Sequence, residues 1–328
     1  QYLHDNTPPG NALHSGLVIR FYPPQTTSYQ VHDVAVWKVM NDNSGGFFLH
    51  NGDTTNFWGV VKNTGNQPET AFNVLCHVRN ATNQLVFADT INIASMAPGA
   101  TDSLVFVPGW VAATNGTYSL KVKSLLSGDM TPSNDSIMVE FRVVTYPTAL
   151  RYDNGTAEQA MYWNGPNSGF GNKFFPPRYP AKITQISVNF GGSPSGNAPT
   201  YMQIIDDDGS NDNPGTIVFD TLYTVNDTGY VNLNVSAHNI VVSNGGFYVG
   251  AIATLQADPS FSMDIDPLFS MQGWEYTGAW APHRDASSMD VMIHASVELW
   301  SGAVEENKPV TLTPARIAFA SPNPFKRL

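Results

Sequence analysis

Asn56-Phe57-Trp58-Gly59-Val60-Val61-Lys62-Asn63-Thr64-Gly65-Asn66 is the stretch on which the fold turns. Residues 56–63 carry the aromatic and β-branched side chains that suit a pleated, half-buried strand. Residues 63–66 are the Asn, Thr and Gly that reverse a chain, because they tolerate φ > 0 or bond their own backbone. The same cadence recurs on both sides. Val-, Ile-, Phe-, Tyr- and Thr-rich runs lie near 31–39, 72–79, 84–93, 101–107, 116–125 and 136–144, with further turns at Pro98-Gly99-Ala100 and Thr114-Asn115-Gly116. Helical periodicity is almost nowhere. Seven strands between residues 31 and 144 is the strand count of an immunoglobulin-like sandwich.

After Thr145-Tyr146-Pro147, where proline ends the last strand, a second series begins. Strands are expected near 158–163, 170–175, 181–190, 200–206, 216–223, 229–234, 246–254, 260–265, 272–277 and 289–299. The fold class is therefore all-β, with two consecutive antiparallel β-sandwiches and extended terminal arms. The boundaries read as an N-terminal arm over 1–29, a first sandwich over 30–146, a second over 147–301 and a linker-like tail over 302–328.

Composition restricts the function. Charged residues make up 13% of the 328 residues, about half the usual share, and the formal net charge is -11. Phosphate binding draws on Lys and Arg clusters that are missing here, so neither nucleic acid nor an anionic membrane surface is an expected partner. No run of 18 apolar residues exists, and no membrane insertion is expected. The single cysteine, Cys76, sits in the alternating run Val74-Leu75-Cys76-His77-Val78 and reads as a buried small hydrophobe. Gln1 opens the chain without Met, which fits export with a signal peptide already removed.

Several segments resemble known families. Val60-Val61-Lys62-Asn63-Thr64-Gly65-Asn66, Met96-Ala97-Pro98-Gly99-Ala100, Gly116-Thr117-Tyr118-Ser119-Leu120-Lys121-Val122 and Ser133-Asn134-Asp135-Ser136 follow the order of the CARDB-type family of immunoglobulin-like surface domains. That resemblance implies a spacer or adhesion role without catalytic residues. Phe174-Phe175-Pro176-Pro177-Arg178-Tyr179-Pro180-Ala181-Lys182-Ile183, Pro214-Gly215-Thr216 and Gly246-Phe247-Tyr248-Val249-Gly250 are similar to a jelly-roll-like module of secreted bacterial multidomain proteins. Ser321-Pro322-Asn323-Pro324-Phe325, behind the acidic run Gly302–Pro309, resembles the start of a Bacteroidetes-type C-terminal sorting domain. Together these resemblances imply an extracellular or cell-surface location.

Candidate chemistry is sparse. In Asp206-Asp207-Asp208-Gly209-Ser210-Asn211-Asp212-Asn213, the residues Asp206, Asp208, Ser210 and Asp212 alternate around a glycine bend and present the hard oxygens that calcium requires. The competing reading is a solvated turn whose Asp and Asn side chains cap their own backbone. Trp274, Tyr276 and Trp280 invite stacking on a surface glycan, with Glu275, His283 and Arg284 near them; the alternative is packing within the sandwich. Asp264 and Asp266 alternate like paired glycosidase carboxylates, or simply end a strand. Eight scattered histidines, no i, i+4 His pair and no nucleophile elbow argue against an enzyme. The strand-like runs holding Leu17, Ile19 and Phe21, and Ile317 and Phe319, are candidates for self-association by adding a strand to a neighbouring subunit. The function expected is a non-catalytic subunit of an extracellular filament, surface assembly or adhesive stalk, the alternative being an accessory or carbohydrate-binding region of a larger secreted hydrolase.

Overall fold

The computed structural model of the chain describes residues 29–41 and 46–302, so Leu17, Ile19, Phe21, Ile317 and Phe319 lie outside the described residues. The first half forms β1 (Val34–Asn41), β2 (Phe48–His50), β3 (Thr54–Asn63), β4 (Glu69–Asn80), β5 (Leu85–Met96), β6 (Thr101–Val111), β7 (Gly116–Ser124) and β8 (Ser136–Val144). The second half forms β9 (Thr148–Leu150), β10 (Gln159–Met161), β11 (Ser168–Phe174), β12 (Ala181–Gly192), β13 (Ala198–Asp206), β14 (Ile217–Val225), β15 (Gly229–Asn234) and β16 (Val241–Val242). It continues with β17 (Phe247–Ala253), β18 (Ser260–Asp264), β19 (Gly273–Tyr276), β20 (Trp280–Pro282), β21 (Asp290–Val291) and β22 (Ile293–Leu299). No α-helix occurs among the described residues, and hence no helix long enough to cross a membrane.

Two sandwiches result, and the all-β expectation holds. A three-stranded sheet β1-β3-β6 faces a five-stranded sheet β2-β8-β7-β4-β5. Their inward side chains alternate along each strand, Phe57, Val61, Leu104 and Phe106 from one sheet meeting Val74, Val78, Leu120, Val122 and Phe141 from the other. Cys76 belongs to this core, and burial pushes its thiol up to about 12. An eight-stranded sheet centred on β12 then packs on a six-stranded sheet β14-β13-β17-β11-β19-β20, with Ile183, Ile186 and Phe190 against Phe170, Met202 and Val249. Every strand pairing is antiparallel except one. The short β2, which the sequence reading omitted, runs parallel to β8.

That short strand joins the two sandwiches. Successive strand residues face opposite sides, so Leu49 enters the core of the first sandwich while Phe48, with Phe47 before it, enters the core of the second. There Phe47 meets the ring of Tyr152 edge-on at 4.5 Å, Phe48 lies 5.4 Å from it, and Tyr152 stacks on Phe174 at 5.2 Å. The Tyr152 hydroxyl donates to the Lys173 carbonyl. Arg142 of β8 reaches over the connection and donates to the carbonyls of Tyr152 (3.2 Å) and Asp153 (2.8 Å), while Glu140 holds it at 3.2 Å. An Arg178–Asp53 ion pair and a 2.9 Å bond from the Tyr146 hydroxyl to the Arg178 carbonyl complete the seam.

Phe48 is fully buried, and truncating such an aromatic typically costs about 3–5 kcal/mol. We expect Phe48→Ala to lower the denaturation midpoint of the second sandwich, whereas Leu49→Ala acts on the first. Denaturant titration followed by hydrogen exchange of residues 168–299 distinguishes the two.

Candidate functional site

The seam also gathers the acidic side chains. The chain leaves β9 through Arg151-Tyr152-Asp153-Asn154, and the buried Tyr152 fixes where the next two residues fall. The Asn154 amide N–H donates to Asp264 Oδ2 at 2.6 Å, and its side-chain Nδ2 donates to Asp266 Oδ2 at 3.0 Å. Asp266 donates its own amide to Asp264 Oδ1 at 2.8 Å, and the Ile265 amide donates to Glu158 Oε2 at 3.2 Å. Three carboxylates from two distant segments are thereby drawn together. One ligand oxygen from each of Glu158, Asp264 and Asp266 lies within 4.8 Å of the others, the one such group of His, Cys, Asp and Glu among the described residues.

The surroundings are acidic, with Glu158 and Asp266 exposed and Asp264 buried. Asp264 at the end of β18 pairs directly across the ladder with Asp290 of β21, and both are buried. Directly opposed like charges are unfavourable. Asp290 responds by keeping its proton: burial, reinforced by the charges of Asp264 and Asp153, pushes its carboxyl up to about 7, although the Ser270 hydroxyl and amide donate to it and pull the other way. Asp153 is fully buried, with Oδ2 2.6 Å from Nε2 of His294 and Oδ1 without a partner. His294 is held in turn by the Tyr230 hydroxyl at 3.0 Å.

Between the sandwiches, a cleft of about 260 Å³ opens onto Asp264 and Asp266 and is walled by Thr117, Glu140 and Arg142 of the first sandwich and by Arg151. Burial raises Glu140 against the pull of Arg142, with Asp264 adding to the rise. Glu158, Asp264 and Asp266 make no ion pair with Lys, Arg or His among the described residues. Three carboxylates free of a cationic partner form a hard-oxygen donor set suited to calcium or magnesium, not to a thiolate- or imidazole-seeking metal.

The residues singled out in sequence fall elsewhere. Asp206 ends β13 and Asp208, Ser210 and Asp212 follow it, in a loop held by hydrogen bonds. Asp208 accepts from the amide (2.6 Å) and hydroxyl (2.7 Å) of Thr216, which lowers its carboxyl below the usual range. Asp206 accepts from the amide of Asp207, and burial raises its carboxyl. The carbonyl of Asp212 takes 2.6 Å bonds from Lys173 Nζ and the Tyr248 hydroxyl. The loop does not bring three carboxylates within one ion's reach.

Trp274 and Trp280 pack on the outer face of the six-stranded sheet. Trp274 is 8% exposed and meets Tyr248 edge-on at 5.0 Å. Trp280 lies across two glycines; a Cβ on Gly250 would come within 2.6 Å of its ring. Tyr276 sits beside it at 5.2 Å. Glu275 is engaged by Arg284 at 2.7 Å, and burial lowers the pKa of His283. Asp264 and Asp266 do come together, but through Asn154 and the turn after β18, not as neighbours along a strand. Asp153, Glu158 and Asp290 were missed, because their significance lies in a convergence of segments more than a hundred residues apart.

No protein-family model matches the chain, and no curated protein matches it. Among solved structures it is similar to the CARDB domain of a Pyrococcus furiosus protein in complex with di-metal ions, at 16% identity over 36% of this chain and 99% of that one, TM-score 0.29. It is also similar to the cysteine protease and lectin-like domains of Cwp84, a surface layer associated protein of Clostridium difficile. That match has 12% identity over 71% of this chain and 59% of that one, TM-score 0.35. Likenesses this slight assign neither activity nor ligand.

The raised carboxyl of Asp290 gives the fold a pH signature. A carboxyl whose pKa is higher folded than unfolded contributes stability that is full below the unfolded value and is lost as pH rises through about 7. We expect the melting temperature of the native chain, relative to Asp290→Asn, to fall as pH is raised across that interval; parallel thermal melts of the two proteins check it.

Proposed function

We propose that the chain is a secreted, non-catalytic structural unit, a subunit of an extracellular filament or surface assembly or a segment of an adhesive stalk, in which two sandwiches act as one rod. The observation that carries this reading is the donation of Phe47 and Phe48 by the first sandwich to the core of the second. Flexibly tethered domains meet through small polar contacts. A shared aromatic core instead couples the bending of one domain to the unfolding of the other, a property useful in a load-bearing element. The sparse charge and hydroxyl- and amide-rich composition fit an extracellular setting. Self-association through the terminal arms is the expected mode of assembly.

Negative-stain microscopy and sedimentation of native material test the proposal. Extended assemblies are expected. A monomer at high concentration, with no assembly containing it on the cell surface, would sink it.

Within this reading, Glu158, Asp264 and Asp266 hold a divalent cation, calcium by preference, that ties the segment after β9 to the end of β18. A cation bound only by the folded state at a hundred times its Kd adds about 2.7 kcal/mol. Calcium should therefore raise the melting temperature of the native chain and of Asp208→Asn, but not of a Glu158→Gln, Asp266→Asn double variant. No rise in the native chain, or an equal rise in the double variant, rules this seam out as the site.

A further inference from the structure

The outer face of the three-stranded sheet β1-β3-β6 carries the exposed Trp37 and Lys38 and the half-buried Trp58 and Lys62. Phe57 and Val61 of β3 point into the first core, so Trp58, Val60 and Lys62 point outward. Cross-strand register extends these positions into rows: Met40, Trp58 and Val105; then Lys38, Val60 and Ser103; then Ala35, Lys62 and Thr101. A bulge in β1 between Val36 and Lys38 adds Trp37 to this face. The bulge places one extra residue opposite β3, so Trp37 and Lys38 are both exposed while Val36 and Val39 remain buried. Trp37, Val105 and Val107 are 56%, 52% and 58% exposed.

The lysines are placed with the rings. Lys62 Nζ sits 3.8 Å from the centroid of Trp37, and Lys38 Nζ sits 5.3 Å from that of Trp58. Neither lysine pairs with a carboxylate among the described residues, in a chain of formal net charge -11. The ring quadrupole holds each ammonium, and no carboxylate among the described residues neutralises it.

We propose that this face binds an anionic polysaccharide, a chain bearing uronate or sulfate groups. The exposed part of the Trp37 ring packs against the apolar C–H faces of sugar rings, and Lys38 and Lys62, held at the Trp58 and Trp37 rings, pair with the acidic substituents. Rings and ammonium groups alternate across the face, as sugar rings and charges alternate along such a polymer. A polypeptide polyanion supplies the charge without the rings, and a neutral glycan supplies rings without charge, so each matches half of the surface. This inference concerns the first sandwich alone and does not depend on the seam or its cation.

Affinity gel electrophoresis with polygalacturonate, alginate or chondroitin sulfate in the gel tests it, with dextran and poly-L-glutamate as controls. At least one anionic polysaccharide should retard the native chain, the controls should not, and raised salt should weaken the effect. Trp37→Ala and Lys62→Gln should each weaken binding by about tenfold. Both side chains lie outside the core, so thermal melts should show the two variants folded; Trp58→Ala, which removes the ring that holds Lys38, provides an independent loss. Three outcomes would overturn the proposal: no retardation by any of the three polymers, equal retardation by poly-L-glutamate, or unchanged binding by the Trp37→Ala, Lys62→Gln double variant.

Discussion

The structure depends on the alternation of one three-residue strand. Because β2 pairs with β8 of the first sandwich, its side chains must face opposite sides, and Phe48 and Leu49 necessarily serve different cores. Phe48 has its neighbours in place only when Tyr152 and Phe174 are stacked beneath it. Arg142, from the strand that pairs with β2, fixes the connecting segment by its carbonyls. The connection between the sandwiches is thus a packed and hydrogen-bonded part of the fold.

The same constraint accounts for the acidic cluster. Once Tyr152 is buried, Asp153 must follow it inward and Asn154 must fall beside the end of β18. Asp153, Asp264 and Asp290 are then confined together, with His294 as the close basic partner of Asp153. Burying like charges is costly, and the structure answers in three ways. Backbone amides are aimed at Asp264, an imidazole at Asp153, and the proton of Asp290 is retained toward neutral pH. A divalent cation between Glu158, Asp264 and Asp266 would act in the same direction.

How much of this was legible differs between fold and site. The long strands could be read because alternation and turn residues are local: β12, β15 and β8 begin where the sequence places them, and Asn63-Thr64-Gly65-Asn66 does turn the chain after β3. Of the strands of two or three residues, β10 and β21 fall inside expected segments, whereas β2, β9, β16 and β20 carry too few alternations to register, and they exist because a neighbouring strand offers an edge. The acidic loop at 206–213 attracted attention for the same local reason, a dense run of Asp, yet the carboxylates of Asp206, Asp207 and Asp208 are engaged by the Asp207 amide, Gly246 and Thr216.

The sequence by itself determined that the chain is all-β, that it changes character after Pro147, and that Cys76 is buried. These follow from side-chain periodicity and turn chemistry, which act over a few residues. Only the tertiary structure decided that Phe48 belongs to the second core, that Glu158 meets Asp264 and Asp266, and that Trp37 is exposed beside Lys62 while Trp274 is buried. Each of those depends on which strands become neighbours. That is settled by packing and register across the whole chain, and a short stretch of sequence holds no record of it.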